Sequence, residues 1–594
     1  MERWLLKKED ESIQKIAVDY GISPVLAGIC IHRGVRSPEE LERFLHPARE
    51  HLSAPSLLKD GKKAADILAE CIEAKQKIRI IGDYDVDGIM STFLLLSALT
   101  MSGADVDYRL PDRIKDGYGM NSRMIDEAQE ADIGLIITCD NGISCYEEVE
   151  YAKKKGIRVI VTDHHDIPYG EKDGVQTYRI PPADAVVNPK QTDCSYPYKE
   201  LCGAAVAYQV MALLNQIRPF CKEWYEKYLG FVAFATVCDV MSLSGENRSI
   251  VKLGLPMLSD TWNAGLRSLI ELCDLSGQEL TAYHLGFVLG PCLNAAGRLK
   301  VADQALGLLM ASEEEAVERA QELKKLNEER KELTEVYLAK AVDIAGQEEY
   351  KNDRVLVIYL PECHESLAGI IAGRIRERFY KPCIILTDSK DGVKGSGRSI
   401  EGYHMYDELV RVQELFERFG GHPMAAGMSL KCRDDVQDKR EKAEKMRRML
   451  NENCTLTETQ LMRVVRIDAC VPLSWCTLEE IEPLALLRPC GKDNPEPLFA
   501  ARDCNLVRAR RFGKEKQYLN LDVRQPGSTG IYSFTLFREV ELFDQYIREH
   551  FGEDAADALY SGHVGQMTLS LVFTAQINEY RNQKKPQLLL KYYR

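Results

Sequence analysis

The chain has 594 residues, 91 acidic against 77 basic side chains and a formal net charge of −14 at pH 7. That length exceeds what one hydrophobic core organises, and the ordinary globular composition excludes a disordered or fibrous chain. The 18 cysteines include no CxxC pair, which excludes a zinc ribbon and an ordered disulfide framework and points to a reducing cytosol. No apolar run is long enough to span a bilayer, and the charged, amphipathic start MERWLLKKEDESIQKIA lacks the apolar core of a signal peptide, so a cytoplasmic protein without a membrane segment is expected. The acidic balance does not settle the partner, because a site built from carboxylates adds to the acidic count while a basic groove can sit on an acidic surface.

Residues 1–60 read as an N-terminal helical region. From Ile78 to Asn188, short apolar runs alternate with amphipathic stretches: IRIIG, LIITCD, VIVTDHH and AVVNP, separated by helix-like segments. This is the pattern of βα units and a mostly parallel sheet, assigned to residues 61–270. The acidic residues and histidines follow the runs, where open α/β sheets place ligands. Residues 271–346 are expected to form a linker ending in a long helix. It opens on a capping box of Ser312 with Glu315 and stops at Gly346, with Leu323, Leu326, Leu333, Tyr337 and Ile344 at helical spacing. A second, smaller α/β unit over 347–455 contains VLVIYL, CIILTD, GSGRS and FGGHPMAAG. Beyond it, residues 456–594 carry several β-like segments with turns, the pattern of a small barrel or sandwich. That part includes a basic hairpin, RARRFGKEK, and three candidate stacking aromatics, Tyr518, Phe534 and Tyr580.

The chemistry concentrates in four places. IRIIGDYDVDGIMST carries Asp83, Asp85 and Asp87 at alternate positions, which in an extended segment share one face about 6–7 Å apart and call for a positive partner. Asp140 after LIITC, Asp163, His164 and His165 after VIVT, and Asp239 in FATVCDVMSL are likewise expected at strand ends. Singly, an aspartate after a strand is most often a helix cap. Together, hard oxygen donors mixed with imidazole and lacking thiolate suit Mn²⁺ or Mg²⁺. The carboxylates suffice for two ions about 3.5–4 Å apart, a spacing that fits in-line attack on phosphorus.

In this order DYDVDG, the Asp140 segment, the DHH triplet and the Asp239 segment resemble the DHH phosphoesterase superfamily. PDRIKDGYGMN, PYKELCGAAVAY, LNAAGRL, GSGRS and FGGHPMAAG narrow the resemblance to its single-stranded-DNA-specific exonucleases, over almost the whole chain. The resemblance implies a DHH domain with a mostly parallel sheet, a long connector helix, a smaller α/β DHH-associated domain and a C-terminal β-barrel like an oligonucleotide-binding fold. It implies that Asp85 and Asp87 are a first metal-binding pair supported by Asp83, that Asp140 bridges two ions, and that His164 and Asp239 complete the ligands. It also implies that His165 faces the scissile phosphate, that Asp163 orients a histidine, and that Arg298 and Arg398 contact phosphates. Gly420, Gly421 and His422 would form a glycine-rich substrate loop, with Ser396 of GSGRS also binding substrate and Tyr118 along the strand path.

The implied activity is metal-dependent removal of nucleotides from a 5′ end of single-stranded DNA in recombination and repair, by a monomer working beside a helicase and a single-strand-binding protein. Rival readings are a phosphoesterase acting on very short RNA, cyclic dinucleotides or pyrophosphate and a non-catalytic DNA-binding scaffold. The length and the extra domain favour a polymer substrate, and the retained carboxylates count against a pure scaffold. The chain departs from the pattern at Cys490, where an aromatic is usual, and around His364, where PECHESLAG lacks the usual tryptophan and glycine.

Overall fold

The computed structural model describes residues 2–8, 10–113, 115–117, 119–172, 175–390, 392–433 and 435–594. Its first sheet is wholly parallel, in the order Val106–Arg109, Lys77–Ile81, Ile133–Cys139, Arg158–Thr162, Ala185–Val187. Alternate strand residues face opposite ways, and both sets are apolar because both faces are covered. Ile78, Ile80, Leu135 and Ile137 pack with the helices Gly61–Glu73, Val86–Met101 and Gly203–Ile217. Ile81, Ile136, Val159 and Val161 pack with Ser122–Glu130 and Tyr146–Lys154. The strand order reverses between Lys77–Ile81 and Ile133–Cys139, and the crevice at such a reversal is where this architecture binds ligands. Asp83 and Asp140 follow these two strands.

The connector helix runs Glu313–Ala345, about 50 Å at 1.5 Å per residue. Ser312 stands at its N-cap in extended conformation but makes no side-chain capping bond, so the expected capping box does not form. Glu313, Glu314 and Glu315 instead place negative charge at the positive end of the helix dipole. Leu323 and Leu326 belong to the core of the parallel-sheet domain, whereas Ala341 and Ala345 belong to that of the smaller α/β domain. One rigid element thus joins two cores. The smaller sheet has the order Phe416–His422, Ala425–Leu430, Gly392–Arg398, Cys383–Ser389, Leu356–Tyr359.

The C-terminal sheet has the order Ala469–Cys470, Phe499–Phe512, Tyr518–Arg524, Tyr532–Leu536, Gln583–Tyr593, Thr568–Tyr580. Pairing of Phe499–Phe512 with Thr568–Tyr580 closes it into a barrel. Phe534 is fully buried in its core against Phe573, so it is not a stacking surface. Tyr518 is half-buried beside Phe512 and Phe537, and Tyr580 is exposed. The basic hairpin is largely neutralised within the domain: Arg508 and Arg510 pair with Asp522, and Arg511 with Asp544 and Glu541.

Two boundaries differ from the sequence expectation. Residues 1–60 do not pack as a unit of their own. Leu26, Ile29, Leu41 and Leu45 share a core with Leu484, Phe499 and Leu590, and Glu2–Leu6 pairs in parallel with Arg463–Ile467. Short helices of this size bury too little surface alone, and the barrel supplies the missing partner. Likewise Leu285, Leu289, Leu293 and Leu306 lie in the parallel-sheet core, so only the connector helix acts as a link. Among the described residues no helix is long and apolar enough to cross a membrane.

Because Leu26 is buried against the barrel, Leu26→Ala is expected to cost about 2–5 kcal/mol. Chemical denaturation followed by hydrogen exchange should place that loss in residues 471–590 and not in the parallel sheet.

Candidate metal centre

The strand Lys77–Ile81 ends before the first aspartate, and the DYDVDG segment is not extended. Asp85 is the N-cap of helix Val86–Met101, its Oδ1 accepting from the Asp87 N–H at 2.9 Å and the Gly88 N–H at 3.2 Å. The alternation seen in the sequence therefore spans a turn and a first helical turn, and the three side chains do not line one strand face. Asp87 accepts from the N–H groups of Gly203 (2.6 Å) and Ala204 (2.8 Å), at the positive end of helix Gly203–Ile217. This approach requires glycine at 203, where a Cβ would lie 2.7 Å from that of Asp140. Asp140 has φ of 59° at the end of its strand, and Asp239 is the C-cap of helix Trp224–Cys238.

These elements bring the predicted ligands into groups whose donor atoms lie within 4.8 Å of one another: Asp83, Asp85 and Asp140; Asp87, His164 and Asp239; and Asp140, Asp163, His164 and His165. His164 Nε2 lies 3.1 Å from Asp140 and 3.6 Å from both Asp87 and Asp239. Asp85 and Asp87, matched by resemblance as a pair, divide between two groups, with Asp140 between them.

Burial, followed by the neighbouring carboxylates, raises the carboxyl pKa values of Asp83, Asp85, Asp140 and Asp239 above the ordinary range. Asp163 behaves differently. Burial acts to raise it, but the hydrogen bond and charge of His165 outweigh that and hold it at about 2. Its Oδ1 accepts from His165 Nδ1 at 2.8 Å and the His164 N–H at 2.7 Å, and its Oδ2 accepts from the Ile143 N–H at 2.8 Å. His165 in turn, despite burial, is lifted to about 9 by Asp163, whereas burial lowers His164. Among the described residues, Asp83 Oδ1 and both ring nitrogens of His164 have no hydrogen-bond partner. Orphaned buried acceptors beside converging carboxylates fit a hard divalent cation, Mn²⁺ or Mg²⁺. The nearby thiol of Cys139 is pushed up to about 12 by burial, so it stays neutral and the donor set remains oxygen and nitrogen.

Beside this centre a cleft of about 760 Å³ lies between the two α/β domains. Arg113, Lys115 and Arg298 line one side; Ser396, Arg398 and Gly420 line the other. Arg298 Nη1 donates to Ser366 O at 2.8 Å across the gap, and burial brings its guanidinium down to about 9. Arg398 Nη1 donates to Gly397 O at 2.8 Å and to Ser396 Oγ at 3.2 Å. The expected glycine-rich loop is instead the end of strand Phe416–His422, in a hairpin with Ala425–Leu430. Gly421 there has φ of 155°, and a Cβ would meet Ala425 O at 2.4 Å. His422 is exposed and does not line the cleft. Tyr118 lies outside the described residues. Sequence reasoning passed over Arg113 and Lys115, although the two cations of PDRIKDG were a visible signal.

Family models match three segments: the DHH family, N-terminal domain, over residues 77–236; the DHHA1 domain over 352–452; and the RecJ OB domain over 467–592. The chain is 34% identical to the single-stranded-DNA-specific exonuclease RecJ of Bacillus subtilis (strain 168), covering 99% of this chain and 70% of that protein. It is 33% identical to that of Escherichia coli (strain K12), covering 96% of this chain and 95% of the relative. The crystal structure of RecJ from Thermus thermophilus in complex with Mn²⁺ matches with a TM-score of 0.80 at 26% identity, covering all of this chain and 79% of that one.

Raised carboxyl pKa values mean that the metal-free folded protein holds more protons than the unfolded chain between about pH 3.9 and the raised folded values. Its stability therefore falls as pH rises through that window. At pH 7.5 in chelator, Asp140→Asn should melt a few degrees above the parent, about 2–4 °C per kcal/mol for domains of this size. Added Mn²⁺ should raise the melting temperature of the parent more than that of the variant, and hydrolysis by the variant should fall by about 100-fold or more. Scanning calorimetry with and without Mn²⁺ checks the first two, and turnover checks the third.

Proposed function

Because the chain belongs to the RecJ family of single-stranded-DNA-specific exonucleases, we propose that its metal centre removes nucleotides from the 5′ end of single-stranded DNA. The protein is a metal-dependent exonuclease of single-stranded DNA. The observation that carries the reading at the level of residues is the juxtaposition of two ligand groups, which meet where His164 of one lies 3.1 Å from Asp140 of the other, with a cationic cleft between the domains. Asp83, Asp85 and Asp140 would hold one ion, and Asp87, His164 and Asp239 the other. Such ions, when bound, supply Lewis acidity and an activated water.

The rest is work for the chain's own groups. Asp163 fixes the His165 ring through Nδ1 and keeps it protonated, which leaves a cationic donor for a phosphate oxygen whose charge grows during hydrolysis. Arg298 and Arg398 stand on facing walls of the cleft, and their forked guanidinium groups suit phosphate oxygens. A strand entering between the domains would place its terminal phosphate among Arg113, Arg298 and Arg398. A single strand, about half the width of a duplex, suits such a passage, and a barrel of the oligonucleotide-binding type would hold the trailing strand. The role in recombination and repair, a helicase and a single-strand-binding protein as partners, a monomeric state and a cytoplasmic location belong to the same proposal and are supported by the family resemblance.

Oligonucleotides labelled at either end, incubated with Mn²⁺, test the polarity. A 5′ label should leave at once as a short product while a 3′-labelled strand shortens stepwise, and blunt duplex should resist. Early release of the 3′ label would reverse the assignment. Arg398→Ala should weaken single-strand binding and reduce the slope of log affinity against log salt by about 0.7, the value for one phosphate contact, while Mn²⁺ affinity stays at that of the parent. An unchanged slope with lost Mn²⁺ affinity would remove Arg398 from the strand path.

A further inference from the structure

The barrel domain touches the parallel-sheet domain through one unusual contact. Arg248, on helix Gly245–Ser259, is 1% exposed, and its guanidinium meets carbonyls instead of a carboxylate. Nε donates to Phe44 O at 2.8 Å, Nη1 to Leu487 O (2.9 Å) and Pro489 O (3.2 Å), and Nη2 to Leu486 O (2.8 Å) and Arg488 O (3.0 Å). The ring of Phe44 lies 3.9 Å below it. A buried cation held by five carbonyl dipoles fixes the backbone that presents them, because every donor of the planar fork is spent.

The turn so fixed runs on through Cys490, Gly491 and Lys492. Asn494 Nδ2 closes it by donating to Leu487 O (2.9 Å) and Pro489 O (2.6 Å), and Arg33 donates to Asn494 and Pro495. The Leu243 N–H donates to Lys492 O at 2.9 Å, which ties this turn to the segment leaving Asp239. Between the two runs a largely apolar cavity of about 970 Å³ has Cys238 and Val240 on one wall and Arg488 to Lys492 on the other. The Lys492 side chain is exposed, and among the described residues its ammonium forms no hydrogen bond or ion pair of the usual length.

We propose that Lys492 holds a phosphate of the bound strand beside the metal centre, and that Arg248 is the positioning residue that sets it there. This rests on the exonuclease reading above. Asp239, which belongs to a metal-ligand group, lies between Cys238 and Val240 of the opposite wall, so an ammonium carried on a rigid turn across this cavity has a polyanion passing between the domains as its partner. The barrel domain then contributes to the reaction as well as to strand capture.

The test is fluorescence anisotropy of the full chain with a labelled, nuclease-resistant single strand over a salt series, together with Mn²⁺ titration. Lys492→Gln should weaken binding about 3- to 10-fold at low salt and lower the salt slope by about 0.7, with Mn²⁺ affinity unchanged. Arg248→Lys, with fewer donors for the same acceptors, should reproduce most of that loss while remaining folded, and Asn494→Ala, which loosens the same turn from the other side, should do likewise. The double variant Lys492→Gln with Arg248→Lys should lose little more than Lys492→Gln alone. A parental slope in Lys492→Gln, or a shift in Mn²⁺ affinity without a change in slope, would overturn the phosphate contact. Full additivity in the double variant would overturn the positioning role. If the parent itself failed to bind single strands, the exonuclease reading would fall, and this inference with it.

Discussion

Buried negative charge is the constraint on which this molecule turns. Asp87, Asp140 and Asp239 converge on His164, and Asp83 and Asp85 on Asp140, with donor atoms in each group within 4.8 Å of one another. At that separation and an effective dielectric of about 20, each like-charge pair costs on the order of 3–4 kcal/mol. The imidazole of His164, whose protonated form burial disfavours, is the ion-pair partner that Asp87, Asp140 and Asp239 share, and the cations Arg113, Lys115 and Arg298 line a cleft beside them. Protons or divalent cations must supply the balance, and at neutral pH divalent cations do so without discharging the carboxylates.

The fold is arranged around meeting that demand. Reversal of strand order opens a crevice between Lys77–Ile81 and Ile133–Cys139, and the turns after those strands deliver Asp83 and Asp140 to it. Helix N-termini take up part of the charge, at Asp85 through its own helix and at Asp87 through Gly203 and Ala204. The connector helix then sets the smaller domain opposite, so that Arg398 faces Arg298 across the cleft. The barrel is anchored in turn by Arg248, and the N-terminal helices complete its core.

How much of this was legible in sequence depended on whether the signal was local. The βα alternation, the connector helix to Gly346 and the placing of Asp83, Asp140 and Asp163 after strands follow from periodicity and turn chemistry, and they stand where they were expected. Asp239, expected at a strand end, instead closes the helix Trp224–Cys238, because an apolar run buried on all sides reads alike as strand or helix. The conformation of DYDVDG was misjudged because alternation mimics a strand, whereas an aspartate that can cap starts a helix at the same spacing. Phe534 could not be told from a surface aromatic, since burial is decided by barrel closure between segments some seventy residues apart in sequence. The merging of the first helices with the barrel, and the carbonyls gathered by Arg248, depend on pairings across more than two hundred residues that no window of sequence contains. Arg113 and Lys115 were visible as residues and were passed over in favour of an aromatic neighbour.

The most direct test of the account is the number of Mn²⁺ ions bound per chain at pH 7.5, counted by isothermal titration of the chelator-stripped protein. Two ions per parent chain, with both sites weakened together in Asp140→Asn, is the result expected if one carboxylate stands between two metal-binding groups. A single ion in the parent, or a variant that loses one ion and keeps the other at parental affinity, would contradict it.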